Sequence, residues 1–194
     1  MRKIPEKLEN PIDNFIYYFI EKIAPVFYKL GFTPNMITTI GNICTITSIY
    51  FFIKQQYNYS ALFFFFSYFF DCLDGYVARS YNMTSQFGDF YDHISDMIKI
   101  LSFLILFITT NYKLSLICIP IILIGFILCC MHVANQEIYY GKPESSKTLQ
   151  CISSLTNAKT KQEAYNNMRY TRYFGCGTSI ILTMIVIAIY KKRR

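Results

Sequence analysis

The sequence predicts an all-α integral membrane protein: a bundle of five to six transmembrane helices preceded by an amphipathic interfacial helix. Three observations lead there. Hydrophobic residues make up 53% of the 194 positions, with 18 Phe, 17 Tyr and no Trp. The apolar residues fall in blocks long enough to cross a bilayer, not in the amphipathic periods of a soluble domain. Basic residues flank these blocks, as expected for membrane anchoring. At this length the chain forms a single domain, residues 1–194.

The first element, residues 11–30, reads as a helix lying on the membrane. On a 3.6-residue wheel Ile12, Phe15, Ile16, Phe19, Ile20 and Ile23 share one face, while Asp13, Asn14, Tyr17, Tyr18 and Glu21 occupy the other. Pro11 suits a first helical turn, and Gly31 with Pro34 marks the exit. A helix packed on the domain is the plainer alternative. The polar residues within this block, and the lack of a small-residue cleavage site, argue against a secretory signal.

The transmembrane bundle occupies residues 36–190, with spans expected at 36–53, 60–79, 87–109, 114–138 and 172–190; about 20 residues cross an apolar layer of about 30 Å. Short polar links at Lys54–Asn58 and Thr110–Lys113 make neighbouring helices antiparallel. Residues 139–171 form the one long polar stretch. Placing Arg2, Lys3, Lys7, Lys22 and Lys29 on the cytoplasmic side also puts Arg79, Lys142, Lys147, Lys159, Lys161 and Arg169 there. Five crossings then carry Lys191, Lys192, Arg193 and Arg194 to the far side, against the charge rule. A missing sixth helix explains this better than a hidden crossing, since nothing in 139–171 is apolar enough to span.

A net charge of +7 raises the question of nucleic acid. Its distribution around apolar blocks excludes that partner and favours the membrane surface. The seven cysteines lie mostly in apolar segments and show neither C-x-x-C nor a histidine spacing suited to zinc, so they read as small packing residues.

Function is legible between Asp71 and Asp96. The run DCLDGYVARSYNMTSQFGDFYDHISD places acids and glycines inside what otherwise reads as lipid-buried helix. A carboxylate at membrane depth costs at least about 2.5 kcal/mol, so intramembrane acids are functional by default. Clustered carboxylates cannot all stay ionised without a counter-charge. Divalent cations supply it. Helical geometry sets Asp71, Asp74, Gly75, Ala78 and Arg79 on an arc of about 140°. Gly88, Asp92 and Asp96, each four apart, form a stripe on the next helix. Two such stripes facing one another make a pocket for two hard cations, Mg²⁺ or Mn²⁺, which prefer oxygen ligands.

This spacing, Asp71-x2-Asp74-Gly75-x2-Ala78-Arg79-x8-Gly88-x3-Asp92-x3-Asp96, resembles the signature of the CDP-alcohol phosphotransferases at every defined position. Thr33-Pro34-Asn35-Met36-Ile37-Thr38 is similar to that family's entry into its first spanning helix. The resemblance implies a phospholipid-synthesis transferase that moves a phospho-substituted group from a CDP-linked donor to an alcohol acceptor and releases CMP. It implies Asp71, Asp74 and Asp92 as metal ligands, with Asp96 as a further ligand or the general base. Gly75, Ala78 and Gly88 are small where nucleotide and pyrophosphate approach the backbone, although small residues also serve close helix packing. Arg79 is a donor-phosphate contact, or else an interfacial arginine at a helix end.

Asp92-His93 resembles the Asp-His pair of the aminoalcohol branch, which makes His93 a second candidate base; it stands about 100° from Asp92 on the wheel. Asp89 lies outside the signature and reads as a first-turn helix charge. Glu144-Ser145-Ser146-Lys147 and Arg172 faintly resemble acceptor-site positions of phosphatidylinositol synthases, with a solvated loop as the plain reading. Two acceptor branches stay open: diacylglycerol with CDP-choline or CDP-ethanolamine, and inositol, glycerol 3-phosphate or serine with CDP-diacylglycerol. Partners are therefore the donor, the acceptor and membrane lipid, and the resemblance allows a homodimer. The compartment implied is the endoplasmic reticulum in a eukaryote or the inner membrane in a bacterium. The rival classes are a membrane cation transporter, which calls for polar residues spread over several helices, and an inactive lipid-binding scaffold, which an intact motif disfavours.

Overall fold

The computed structural model describes residues 2–141 and 155–190. Seven α-helices account for most of them: α1 Pro11–Lys29, α2 Pro34–Ile53, α3 Tyr57–Ser80, α4 Gln86–Thr110, α5 Tyr112–Tyr140, α6 Lys161–Thr171 and α7 Cys176–Ile189. Short 3-10 turns at Glu6–Leu8 and Arg172–Phe174 complete the order, and there is no strand among the described residues. Among the described residues, five stretches are long and apolar enough to cross a membrane: Pro34–Ile53, Tyr57–Ser80, Gln86–Thr110, Tyr112–Tyr140 and Lys161–Ile189. The all-α membrane architecture is thus as expected. Glu144–Lys147 and the terminal basic run lie outside the described residues.

Local chemistry explains where the site-bearing helices start. Thr33 caps α2, its hydroxyl accepting from Met36 N at 3.3 Å, with Pro34 in the first turn, where its missing N–H is no loss. Ser85 caps α4 by accepting from Gly88 N at 3.0 Å. Asn82, with φ 55°, turns the chain between α3 and α4 in the left-handed region that asparagine tolerates.

The chain divides into two compact units. The first comprises Tyr17–Pro120 and the end of α7 from Thr183. Here α2 and α3 form an antiparallel hairpin zipped by small and hydroxyl-bearing residues. Thr45 and Ser67 exchange a hydroxyl hydrogen bond of 2.7 Å, and Ser48 donates to the Ser60 carbonyl at 2.6 Å. A Cβ on Gly41 would stand 3.3 Å from the Ser67 carbonyl oxygen, so glycine permits the close approach. A second seam ties α2 to α4: Asn42 donates to Tyr91 Oη at 3.1 Å and to Ser95 Oγ at 2.9 Å. Away from these polar seams the core is aromatic. Phe52, Phe103, Phe107 and Tyr190 pack with ring centroids 4.9–6.2 Å apart. The Tyr190 hydroxyl caps this cluster by donating to the carbonyls of Phe107 (2.5 Å) and Asn111 (3.0 Å).

The second unit comprises Arg2–Ile16 and the described part of Ile121–Leu182. Ile4, Leu8 and Met168 are buried together beneath Tyr139 and Tyr165. Buried Glu137 is ion-paired with Lys3. Asn10 donates to the Arg172 carbonyl at 2.6 Å, and the Asp13 carboxylate accepts from Gly177 N at 3.1 Å, an anion at the positive end of α7. A capping box joining Thr160 and Glu163 starts α6.

This placement of Asp13 revises the face of α1. The wheel put Asp13 and Tyr17 on the solvated side and Phe15 and Phe19 on the apolar side. In the structure Asp13, Ile16, Tyr17, Ile20 and Ala24 are the buried positions, and Phe15 and Phe19 are exposed. The reason is Asp13's hydrogen bond, which turns the acid inward. The outward phenylalanines keep the helix suited to a lipid interface.

Candidate active site

Three helices of the first unit build the site. The last turns of α3 carry Asp71, Asp74, Gly75, Ala78 and Arg79, the first half of α4 carries Gly88, Asp92 and Asp96, and the start of α2 supplies Asn35, Thr38, Gly41 and Asn42. Helix periodicity aligns residues within each stripe. The hydroxyl zipper of α2 and α3, and the Asn42 bonds to α4, bring the stripes together.

One carboxylate oxygen from each of Asp71, Asp92 and Asp96 lies within 4.8 Å of the others. Asp92 Oδ1 is buried and has no hydrogen-bond partner among the described residues. Oxygens bound to one hard cation at about 2.0–2.6 Å lie up to about 4–5 Å apart, so this trio fits a divalent ion with small side-chain adjustments. Asp74 stands beside the trio, its Oδ2 accepting from the Thr38 hydroxyl at 2.5 Å. Asp71, Asp74, Asp92 and Asp96 all line one narrow inner cavity.

An outer cavity of about 180 Å³ adjoins it and shares Thr38, Asp74 and Asp92. Its wall includes Gly75, Ala78, Arg79 and Gly88, together with Pro34, Asn35 and Asp89. Gly75 leaves room for the Arg79 guanidinium, since a Cβ there would stand 3.0 Å from Arg79 Nη1. A Cβ on Gly88 would fall 2.9 Å from Asn35 Oδ1 and 3.0 Å from Ser85 Oγ. Gly88 therefore serves helix packing as well as lining the cavity.

His93 is turned elsewhere. Its Nδ1 lies 2.6 Å from the Asp89 carbonyl oxygen, one turn back on α4, and the residue lines neither cavity.

The inner wall also holds a charged residue outside the motif. Lys99 is 8% exposed, and its Nζ donates to Asp96 Oδ1 at 2.8 Å. Its signal was present: a lysine inside the run MIKILSFLILFI is itself an intramembrane charge and continues the Asp92–Asp96 stripe one turn further. Thr38, Asn42 and Ser95 also reach the inner cavity, and single hydroxyls or amides in a spanning helix carry no comparable signal.

The site is thus a set of acids converging from two helices of a membrane bundle beside a cavity walled by small residues and an arginine. Residues 32–190 match the family described as CDP-alcohol phosphatidyltransferase, and the chain belongs to that family. It is also similar to an archaetidylinositol phosphate synthase of Pyrococcus horikoshii, 32% identical over 99 residues. That match covers 51% of this chain and 48% of the relative, about half the relative's length. No solved structure matches the chain.

Proposed function

We propose that this protein transfers a phospho-substituted group from a CDP-linked donor to an alcohol acceptor in phospholipid synthesis, with release of CMP. The observation that carries the reading is the convergence of Asp71, Asp92 and Asp96, with the unpartnered Asp92 Oδ1, at the inner end of a cavity walled by Gly75, Ala78, Arg79 and Gly88. Asp71, Asp92 and Asp96 would hold a divalent cation, Mg²⁺ or Mn²⁺, and Asp74 stands close enough to the inner cavity to join a second ion. Bound there, such an ion neutralises pyrophosphate charge that an acidic pocket otherwise repels and stabilises the leaving phosphate.

The chain's own residues supply position and proton handling. Arg79 offers a planar, permanently charged donor to the phosphates. Gly75 and Ala78 leave the α3 backbone open to a flat base. Asp96 is the candidate base: its side chain is 45% exposed and lies on the same stripe as Asp92, within the inner cavity. A base must come within hydrogen-bond reach of the acceptor hydroxyl, and His93, bonded to its own helix, is worse placed.

For the acceptor, the name of the relative favours the branch that joins a CDP-linked lipid to a polyol such as inositol or its phosphate, over the aminoalcohol branch that Asp92-His93 suggests. The same experiment decides both points: reconstitute the full chain in lipid, supply labelled CDP-diacylglycerol, CDP-choline or CDP-ethanolamine with a panel of acceptors, and measure CMP. Acceptor-dependent CMP release is expected. Divalent-cation flux without CMP would instead identify a transporter, and lipid binding with neither would identify a scaffold.

A further inference from the structure

Lys99 is a cation buried beside a site fitted for cations, and its position asks for a reason. It sits about 20 Å along α4 from Gln86 at 1.5 Å per residue, so it is deep in the span. A lysine in a spanning helix ordinarily extends its stem to carry the ammonium to an interface. Lys99 instead folds back toward the N-terminus of α4, the direction helical side chains favour, and ends 2.8 Å from Asp96 Oδ1. It lines the inner cavity with Asp71, Asp74, Asp92 and Asp96. If charge neutralisation were its whole purpose, the residue would work against the site, because a fixed ammonium repels the divalent ions that the acids are suited to bind.

We propose that Lys99 is a positioning residue for Asp96. The ammonium holds Oδ1 and so fixes the carboxylate's rotation, leaving the second oxygen for the shared cation or the acceptor hydroxyl. The Asp96 side chain is half-exposed, whereas Lys99 is held by burial. The role rests on the transferase reading and adds to it a residue that lies outside the signature spacing.

The test uses full-length wild type, K99M and K99R in lipid nanodiscs, each checked for monodispersity and thermal unfolding. Two quantities are measured: Mn²⁺ affinity, and kcat and KM for CMP release from CDP-diacylglycerol with the best acceptor. K99M should lower kcat by about 10- to 100-fold, the range typical of outer-shell partners, with donor KM within about threefold. K99M should also bind Mn²⁺ more tightly, since a repelling charge is gone. K99R, which keeps a charged donor, should recover most of kcat. Wild-type kcat in K99M overturns the proposal, as does loss of Mn²⁺ binding and folding in K99M without rescue by K99R, which marks a purely structural lysine. If wild type releases no CMP from any donor, the transferase reading falls and this role falls with it. Wild-type turnover with an indifferent K99M removes the positioning role alone.

Discussion

Thr38 on α2 donates its hydroxyl proton to Asp74 Oδ2 on α3 at 2.5 Å, and both groups are buried. The bond joins the two helices at the point where the inner and outer cavities meet. Removing it should affect stability and catalysis together. Thr38→Val keeps the shape and leaves a buried carboxylate oxygen without its donor, a loss of about 1.5–3 kcal/mol. A lower thermal midpoint and at least about tenfold slower CMP release are expected, with Thr38→Ser close to wild type. A valine variant as stable and active as wild type would show that the bond contributes nothing.

CMP release should stop when divalent cations are removed by chelator and return when Mg²⁺ or Mn²⁺ is restored. Asp71→Asn and Asp92→Asn should each reduce turnover by at least about a hundredfold, because each weakens cation binding and the electrostatic stabilisation that depends on it. Full activity in excess chelator would sink the cation-dependent mechanism.

Asp92→Asn carries a second expectation of opposite sign. Without a cation, Asp92 is one of several clustered carboxylates, and removing a charge relieves their repulsion. The variant should therefore unfold at a higher temperature than wild type in chelator and lose the stabilisation that Mg²⁺ confers on wild type. Differential scanning of both proteins with and without Mg²⁺ reads this directly. Identical midpoints in chelator would contradict a repulsive cluster.

His93→Gln should retain at least about a third of wild-type turnover, while Asp96→Asn should fall by about 10²- to 10⁴-fold, the usual worth of a general base. The histidine's Nδ1 is committed to the Asp89 carbonyl at 2.6 Å. Steady-state rates distinguish the two: loss of turnover in His93→Gln with activity kept in Asp96→Asn would move the base role to His93.

Gly88→Leu should insert normally yet bind CDP at least about tenfold more weakly, because a leucine hemmed in by Asn35 and Ser85 would occupy the outer cavity that Gly88 lines. Competition with CDP in well-folded protein checks this; unchanged CDP affinity would assign Gly88 to helix packing alone.

Much of this protein was readable from its residues in order. The four long spans from α2 to α5 follow from apolar block length, with starts expected at 36, 60, 87 and 114 and found at Pro34, Tyr57, Gln86 and Tyr112. The acid spacing likewise placed Asp71 with Asp74, and Gly88 with Asp92 and Asp96, because a 3.6-residue period fixes which neighbours share a face. That period says nothing about how one helix is rotated or raised against another. Tertiary packing therefore decided that Asp71, Asp92 and Asp96 approach one another while Asp74 turns to Thr38, and that Asn35 fills the space at Gly88. It also decided that Asp13, assigned by the wheel to water, is buried against the start of α7. Lys99 sits between the two cases: its place on the Asp92–Asp96 stripe was written in the sequence, but its direction was not. A lysine stem is long enough to point toward either end of a helix, and the carboxylate one turn back holds it in the N-terminal direction.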